Sequence, residues 1–144
     1  MMSAKKNFVN PHLAKTQDYA QVLQKAADKQ ICPFCAEHFN HQTNAILFET
    51  DHWLSCKNNW PYDNTAFHFI IVAKRHLEEL VDLLPSDWQE VHSLTQQLQE
   101  QNQIKGGALI LRFGDTRFTG ATVTHLHFHL VVPKLGSVVQ FPVG

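Results

Sequence analysis

Near its carboxyl end the chain reads His125-Leu126-His127-Phe128-His129-Leu130-Val131. Side chains of a β-strand alternate between two faces, so the histidines are expected on one face and the apolar residues on the other. The apolar face predicts contact with a core. Ordinary strands place mixed polar residues, threonine or valine on the second face, so a row of imidazoles there indicates a functional role.

Two kinds of chemistry suit this row of imidazoles. The three rings could hold one metal ion, or the middle ring could act as a nucleophile that its neighbours support. Side chains on one face of a strand lie about 7 Å apart, whereas a zinc–nitrogen bond is about 2 Å long, so three of them reach one ion only if the strand bends. A metal site that combines one of these histidines with ligands from elsewhere is easier to build.

The composition indicates a small cytoplasmic protein. The chain has 144 residues and a formal net charge of −1, from twelve basic and thirteen acidic side chains, so we expect no polynucleotide partner. The sequence shows neither an apolar signal segment nor an apolar run of membrane-spanning length, so we expect no membrane association. The spacing of Cys32-Pro33-Phe34-Cys35 is more typical of a metal site than of a disulfide, and Cys56 is expected to be a buried apolar thiol.

The periodicity along the chain predicts an α+β domain with a mainly antiparallel sheet. An amphipathic helix is expected over residues 11–30, followed by a polar linker that contains Asn40 and Asn44. Ser86 and Gln89 predict a capping box at the start of one long helix, which ends before Gly106-Gly107. The predicted strands are 45–49, 52–56, 67–73, 108–113 and 125–132.

The histidine-rich stretch resembles the signature of the histidine-triad (HIT) superfamily, His-φ-His-φ-His-φ-φ with φ apolar. A second stretch, His68-Phe69-Ile70-Ile71-Val72-Ala73-Lys74-Arg75-His76, is similar to the other hallmark of that superfamily, an apolar strand led by histidine and closed by a basic residue and another histidine. The resemblance runs from about Cys32 to Pro133 and implies a HIT-like fold. Residues 1–144 would then be a single domain with an N-terminal helical extension (1–30), a HIT core (31–133) and a C-terminal tail (134–144).

The resemblance implies transfer of a nucleotidyl group onto a histidine. In the superfamily the middle histidine of the triad attacks the α-phosphorus of a nucleotide derivative, and this position is His127 here. Water or another acceptor then releases the nucleotide. His129 and His68 are expected to donate hydrogen bonds to the phosphate and the leaving group. A core histidine satisfied by a backbone carbonyl is the alternative for His68.

Substrate contacts are implied at three further positions. Thr122 matches a hydroxyl residue that relatives place near the phosphate. Asn58 matches the residue that relatives use on the ribose hydroxyls, and a plain turn asparagine is the alternative. Arg112 stands where relatives often carry asparagine. Arg112 and Arg117 are candidates for binding extra phosphates, and an exposed structural arginine is the alternative. Ala121 replaces a glutamine that is frequent in the diadenosine-polyphosphate hydrolase and phosphoramidase branches, so the branch stays open.

The resemblance also supports a structural zinc site. Zinc-carrying members, including galactose-1-phosphate uridylyltransferases, pair a Cys-x-x-Cys motif with the histidine that closes the second hallmark and the first histidine of the triad. The corresponding residues are Cys32, Cys35, His76 and His125. Two thiolates and two imidazoles complete a tetrahedron, so the ion is expected to fix His125 and to stay out of the reaction. A reduced cysteine pair packed without metal is the alternative.

These observations predict an enzyme, a nucleotide hydrolase or nucleotidyltransferase. It would cleave nucleoside phosphoramidates, dinucleoside polyphosphates or related derivatives through a covalent intermediate on His127. A non-catalytic nucleotide-binding sensor or scaffold with structural zinc is one alternative, and a zinc hydrolase with its metal on the triad is another. Trp60 and Phe48 are candidates for stacking on the base. Many relatives are homodimers joined through the long helix and a sheet edge, and the predicted helix is long enough for a homodimer here.

Overall fold

The computed structural model describes residues 7–39 and 45–144, so the predicted linker at Asn40 and Asn44 lies outside the described residues. The helices are α1 (Gln17–Lys29), α2 (Pro85–Gln101) and the single turn α3 (Thr116–Thr119). The strands are β1 (Phe48–Glu49), β2 (Trp53–Lys57), β3 (Thr65–Ala73), β4 (Ala108–Leu111) and β5 (His127–Pro133).

The strands form one antiparallel sheet in the order β1-β2-β3-β5-β4. Strands β3 and β5, which carry the two histidine-rich stretches, are neighbours within it. Ile70 lies opposite His129 and Val72 lies opposite His127. The predicted α+β fold with a mainly antiparallel sheet is confirmed.

The two faces of the sheet are covered by different parts of the chain. On one face, α2 packs through Val91, Leu94 and Leu98 against a cluster that includes Phe69 and Phe128. On the other face, α1 and its flanking segments pack against β2 and β3. The buried residues of this second layer are Val9, Leu23, Ala26, Cys32, Phe34, Leu54, Cys56, Ile70, Val72 and Val123.

The N-terminal extension lies on the histidine side of the sheet. Ile70 and Val72 belong to the layer under α1, and residues opposite each other in an antiparallel pair point to the same face. Their partners His129 and His127 therefore face α1 and not α2. An isolated antiparallel bridge also joins the segment before α1 to the loop before β5.

Helix α2 begins differently from the sequence prediction. Its first residue is Pro85, which suits this position because it has no N–H to satisfy and its φ is already helical. Oδ2 of Asp87 accepts a hydrogen bond of 2.8 Å from the amide of Leu84. The predicted capping box of Ser86 and Gln89 is therefore wrong, and the buried Asp87 takes that role.

Strand β5 begins at His127, two residues later than predicted. The carbonyl of Leu126 still accepts from the amide of Ala73 at 3.3 Å, but its amide donates outside the sheet, to the carbonyl of Leu77 at 2.7 Å, so the hydrogen-bonding pattern of the sheet ends at this residue. The predicted place of His125 within the strand is therefore wrong. Its ring is free to take a different direction from those of the other two triad histidines.

Three other predicted elements are shorter in the structure, and one of them is β1, which covers only Phe48–Glu49 of the predicted 45–49. Helix α1 begins only at Gln17, after Thr16, whose hydroxyl accepts the amide of Tyr19 at 3.2 Å. Strand β4 ends at Leu111. Cys56 is fully buried, as predicted. Within residues 7–39 and 45–144, no helix has the length and apolar character needed to cross a bilayer.

Candidate active site

The four predicted metal ligands converge beside one end of the sheet. One ligand atom from each of Cys32, Cys35, His76 and His125 lies within 4.8 Å of the others. The cysteines follow α1, His76 follows β3 and His125 precedes β5. Three separate parts of the chain are therefore brought to one point.

The spacing of these ligand atoms matches a tetrahedral metal site. Nδ1 of His125 lies 3.3 Å from Sγ of Cys32 and 3.7 Å from Sγ of Cys35. Nδ1 of His76 lies 3.2 Å from Nδ1 of His125 and 3.4 Å from Sγ of Cys35. Zinc with two sulfurs at about 2.3 Å and two nitrogens at about 2.0 Å separates tetrahedral ligand atoms by about 3.3–3.8 Å. The residues fit such an ion.

The surroundings of the cluster also favour metal binding. Nε2 of His125 donates a hydrogen bond of 2.6 Å to the carbonyl of Ala73, which leaves the lone pair of Nδ1 facing the thiols. Oε2 of Glu78 lies 3.4 Å from Nε2 of His76. Burial raises the pKa of Cys32 to about 12. A bound cation would stabilise the thiolate, so metal binding would release its proton.

A cleft on the α1 face of the sheet contains two of the triad histidines. His127 and His129 line this cleft, as do the three predicted substrate-binding residues, Asn58, Thr122 and Arg112. His68 lies behind His129, at 2.9 Å between Nε2 of His68 and Nδ1 of His129. The predicted catalytic and binding residues are thus within one region of the molecule.

A backbone hydrogen bond orients the ring of His127. Nδ1 lies 2.7 Å from the carbonyl oxygen of His125, so Nδ1 carries the proton and Nε2 carries the lone pair of the neutral ring. Phe34 packs edge-on against this ring, with 4.6 Å between the centroids. His127 is buried, and a neutral imidazole with its lone pair on Nε2 is the form that a nucleophile requires.

A chain of hydrogen bonds assigns the proton of His129. The amide of Tyr62 donates to Nδ1 of His68 at 3.1 Å, so His68 carries its proton on Nε2 and donates it to Nδ1 of His129. His129 therefore carries its own proton on Nε2. This buried atom has no hydrogen-bond partner among the described residues, and a buried donor in that state favours binding of an anion.

The same hydrogen bonds exclude the alternative role that was predicted for His68. Its two ring nitrogens contact a backbone amide and a second imidazole, so a core histidine satisfied by a backbone carbonyl is wrong. Burial, together with the positive charges of Lys15 and Arg112, lowers the pKa of His68 to about 4. Burial also holds the pKa of His129 well below 6.5. Both rings are neutral at pH 7.

The predicted substrate-binding residues have partners within the protein. Oδ1 of Asn58 accepts the amide of Trp60 at 2.8 Å, which fixes the orientation of the Asn58 carboxamide. Its nitrogen lies 3.3 Å from Nε2 of His68, but both atoms are donors in this tautomer, so the contact is not a hydrogen bond. The hydroxyl of Thr122 lies 2.8 Å from the hydroxyl of Tyr19. Both side chains therefore have defined orientations at the cleft.

Two residues that were predicted to contact the substrate, Phe48 and Arg117, lie outside the cleft. Phe48 packs with the cluster under α2, on the other face of the sheet, so its prediction as a base-stacking residue is wrong. Arg117 is exposed and pairs with Asp115 at 2.6 Å, which makes it a surface residue and not a phosphate ligand of the cleft. Trp60 does line the cleft, and its ring stacks on Tyr19 with 4.3 Å between the centroids.

Several lining residues were missed by the sequence reasoning. Leu13, Lys15 and Tyr19 reach the cleft from the N-terminal extension, and Tyr62 reaches it from the loop after β2. The extension carries no motif, so only its packing on the sheet reveals this role. Tyr62 lies in the turn-rich loop that supplies Asn58, and its ring lies over His68 at 4.6 Å between centroids.

The amino-acid sequence of the chain matches a known family over most of its length. The HIT domain family matches residues 40–135, which is more than half of the chain. The chain belongs to the HIT domain family. The predicted superfamily membership is therefore confirmed, and the extension of this HIT protein precedes the matched region. Comparison with curated proteins gave no match.

Solved structures of HIT proteins share the fold. A HIT family hydrolase from Clostridium thermocellum is 25% identical, with 77% of this chain and 96% of that chain covered and a TM-score of 0.58. A zinc-bound histidine triad family protein from Mycobacterium smegmatis is 21% identical, with coverages of 78% and 82% and a TM-score of 0.59. A histidine triad nucleotide-binding protein from Candida albicans is 22% identical, with coverages of 78% and 81% and a TM-score of 0.63.

Proposed function

We propose that this HIT protein is a nucleotide hydrolase or nucleotidyltransferase that works through a covalent intermediate on His127. The observation that carries the proposal is a pair of imidazoles on one cleft whose hydrogen bonds give them complementary Nε2 atoms. His127 has a lone pair on Nε2 and His129 has a proton there, and the ring centroids are 4.9 Å apart. Membership in the HIT family supports the same chemistry.

The reaction would proceed in two steps at phosphorus. Nε2 of His127 attacks the α-phosphorus, a P–N bond forms, and the bond to the leaving group breaks with its electron pair. Nε2–H of His129 donates to a phosphoryl oxygen, on which negative charge grows, while His68 keeps that proton in place. Water then adds to phosphorus, the P–N bond breaks, and its electrons return to His127. The group that left in the first step takes up one proton, and the attacking water releases one, so His127 ends neutral with its proton on Nδ1 and the reaction balances.

The remaining cleft residues would bind the substrate. We propose that Arg112 and Thr122 contact the phosphoryl group and that Asn58 contacts the ribose. Nε of Arg112 is buried without a hydrogen-bond partner among the described residues, which favours an anionic ligand. The side chain of Asn58 can both donate and accept, which suits a diol.

We also propose that Cys32, Cys35, His76 and His125 hold a structural zinc ion. Two thiolates and two imidazoles complete its coordination, so no position is left for substrate. When bound, the ion would supply a cross-link between the segment that follows α1 and the loop before β5. His125 would then hold its carbonyl in place for Nδ1 of His127.

Substitution of the nucleophile tests the proposal. His127→Asn should lower kcat by at least about a thousandfold on nucleoside phosphoramidates, dinucleoside polyphosphates or sugar nucleotides, whichever the parent cleaves, while nucleotide binding persists. His92→Asn is the matched control, because His92 is exposed on α2. Parental turnover by His127→Asn would contradict the proposal. A parent that binds nucleotides and cleaves none would instead support the sensor or scaffold.

The proposal also includes the oligomeric state and the cellular location of the protein. We propose a homodimer through α2, whose start exposes Leu84 (57%) and Trp88 (47%). Light scattering of the purified protein measures its mass directly. The free thiols of Cys32 and Cys35 suit a reducing compartment, so we propose a cytoplasmic location, which fractionation of cells would test.

A further inference from the structure

Two positive side chains meet at Tyr62, at the edge of the cleft. Nζ of Lys15 lies 3.8 Å from the centroid of the Tyr62 ring, and a guanidinium nitrogen of Arg112 donates to the Tyr62 hydroxyl at 3.4 Å. The Tyr62 ring is nearly parallel to that of His129, with 6.0 Å between the centroids. Lys15 and Arg112 both line the cleft that contains His127. The two cations are therefore part of the same site.

Neither cation is neutralised by an acidic residue of the described chain. Lys74, Arg75 and Arg117 each have a carboxylate oxygen at 2.6–2.9 Å. In contrast, no carboxylate oxygen within residues 7–39 and 45–144 lies within 4.0 Å of the charged nitrogens of Lys15 or Arg112. Positive charge without a partner beside neutral, buried imidazoles favours an anionic ligand.

One phosphoryl group of a bound substrate would neutralise only part of the positive charge of Lys15 and Arg112. A phosphoryl oxygen that accepts from Nε2 of His129 and Nε of Arg112 would satisfy both of the unpartnered donors of the cleft. Lys15 lies on the face of the Tyr62 ring and is exposed, so its ammonium group is available to bind a second anion. The nucleoside part of a nucleotide is uncharged, so a second negative charge in the substrate is carried by the leaving group.

On the basis of the function proposed above, we propose that Lys15 is a specificity-determining residue that binds an anionic leaving group. The chemical class is a nucleotide derivative whose leaving group carries a carboxylate or a phosphate. Lys15 precedes residue 40, where the match to the HIT domain family begins. The extension would therefore give this chain a substrate preference that the family domain alone does not supply.

Two substrates that differ by one negative charge on the leaving group test the proposed role of Lys15. The 5′-phosphoramidates of glycine and of glycinamide, made with adenosine and with guanosine, have the same P–N bond and differ by one carboxylate. The parent should have the higher kcat/KM for the glycine conjugates. Lys15→Gln should reduce this preference roughly tenfold, through a higher KM for the glycine conjugates, whereas Lys15→Arg should keep it. Lys25→Gln is the control, because Lys25 is exposed on α1 and does not line the cleft.

Binding of the same conjugates to His127→Asn separates this inference from the catalytic proposal. If the parent cleaves both conjugates equally, or if Lys15→Gln keeps the preference and only loses thermal stability, the role of Lys15 is overturned and the proposed function stands. If His127→Asn binds the glycine conjugate more tightly and Lys15→Gln removes that difference, the role of Lys15 stands. If the parent then cleaves neither conjugate and no dinucleoside polyphosphate or sugar nucleotide, the catalytic proposal fails. If the parent neither cleaves nor binds the conjugates, the role of Lys15 is overturned, and the proposed function fails with it only if the parent also cleaves no dinucleoside polyphosphate or sugar nucleotide.

Discussion

The backbone carbonyl of His125 accepts a hydrogen bond of 2.7 Å from Nδ1 of His127. The ring of the same His125 contributes Nδ1 to the cluster of cysteine and histidine ligands, at 3.3 Å from Sγ of Cys32. His125 therefore belongs to the cluster of cysteine and histidine ligands through its side chain and contacts the proposed nucleophile through its backbone. This arrangement links the position of the cluster to the tautomer of His127.

Loss of a thiol ligand should remove the metal and destabilise the protein. We expect Cys32→Ser to lose equimolar zinc and to lower the free energy of unfolding by about 3 kcal/mol or more, because the cluster joins the segment after α1 to the loop before β5. Cys56→Ala is the control, since Cys56 is buried away from the cluster and should retain the metal. Elemental analysis and denaturant titration measure both effects. A metal-free parent of full stability would argue against the zinc site.

The buried carboxylate of Asp87 should contribute strongly to stability. It accepts from Arg75 at 2.7 Å, from Nε1 of Trp53 at 2.9 Å and from the amide of Leu84 at 2.8 Å. Burial alone would raise its pKa, but these hydrogen bonds hold the pKa below its ordinary value. We expect Asp87→Asn to lower the free energy of unfolding by about 3 kcal/mol, because it leaves the guanidinium without a counter-charge.

Urea unfolding at pH 7.5 measures the effect of Asp87→Asn. Asp82→Asn is the matched control, since Asp82 is exposed in the short turn before α2 and should change the free energy of unfolding by less than about 0.5 kcal/mol. Equal stability of the two variants would show that the Asp87 network does not hold the start of α2 on the sheet.

Stability should fall with pH below the ordinary pKa of histidine. Burial lowers the pKa of His68 from 6.5 to about 4, so between these values the unfolded chain binds a proton that the folded protein excludes. The contribution of His68 is complete above pH 6.5 and is lost as the pH falls towards 4, with an upper limit of about 3 kcal/mol. Urea titrations at pH 7.5 and 5.5 should show a smaller difference for His68→Gln than for the parent. An identical difference would contradict burial of a neutral His68.

Most of the fold and the composition of the site follow from local patterns in the sequence. Alternation of apolar residues and histidines identified β5, a nearly continuous apolar run identified β3, and the Cys-x-x-Cys spacing identified Cys32 and Cys35. The position of His125 was not predictable in this way, because it depends on a hydrogen bond from the amide of Leu126 to Leu77, far away in sequence.

Other features depend on packing between distant segments. Ser86 and Gln89 have the residue types of a capping box, but the charge of Arg75 and the fixed φ of Pro85 select Asp87 instead. The extension has helical periodicity without any motif for its target, so no local signal could place Lys15 or Tyr19 at the cleft. The tautomers of the histidines likewise depend on backbone groups that a sequence pattern does not specify.

Mass spectrometry of the protein mixed rapidly with substrate and quenched under conditions that preserve phosphoramidates tests the nucleophile most directly. The parent should gain the mass of one nucleotidyl group, and peptide mapping should locate it on His127, with no adduct in His127→Asn. An adduct on another residue, or turnover by the parent with no adduct at any quench time together with inversion of configuration at phosphorus, would contradict attack by His127.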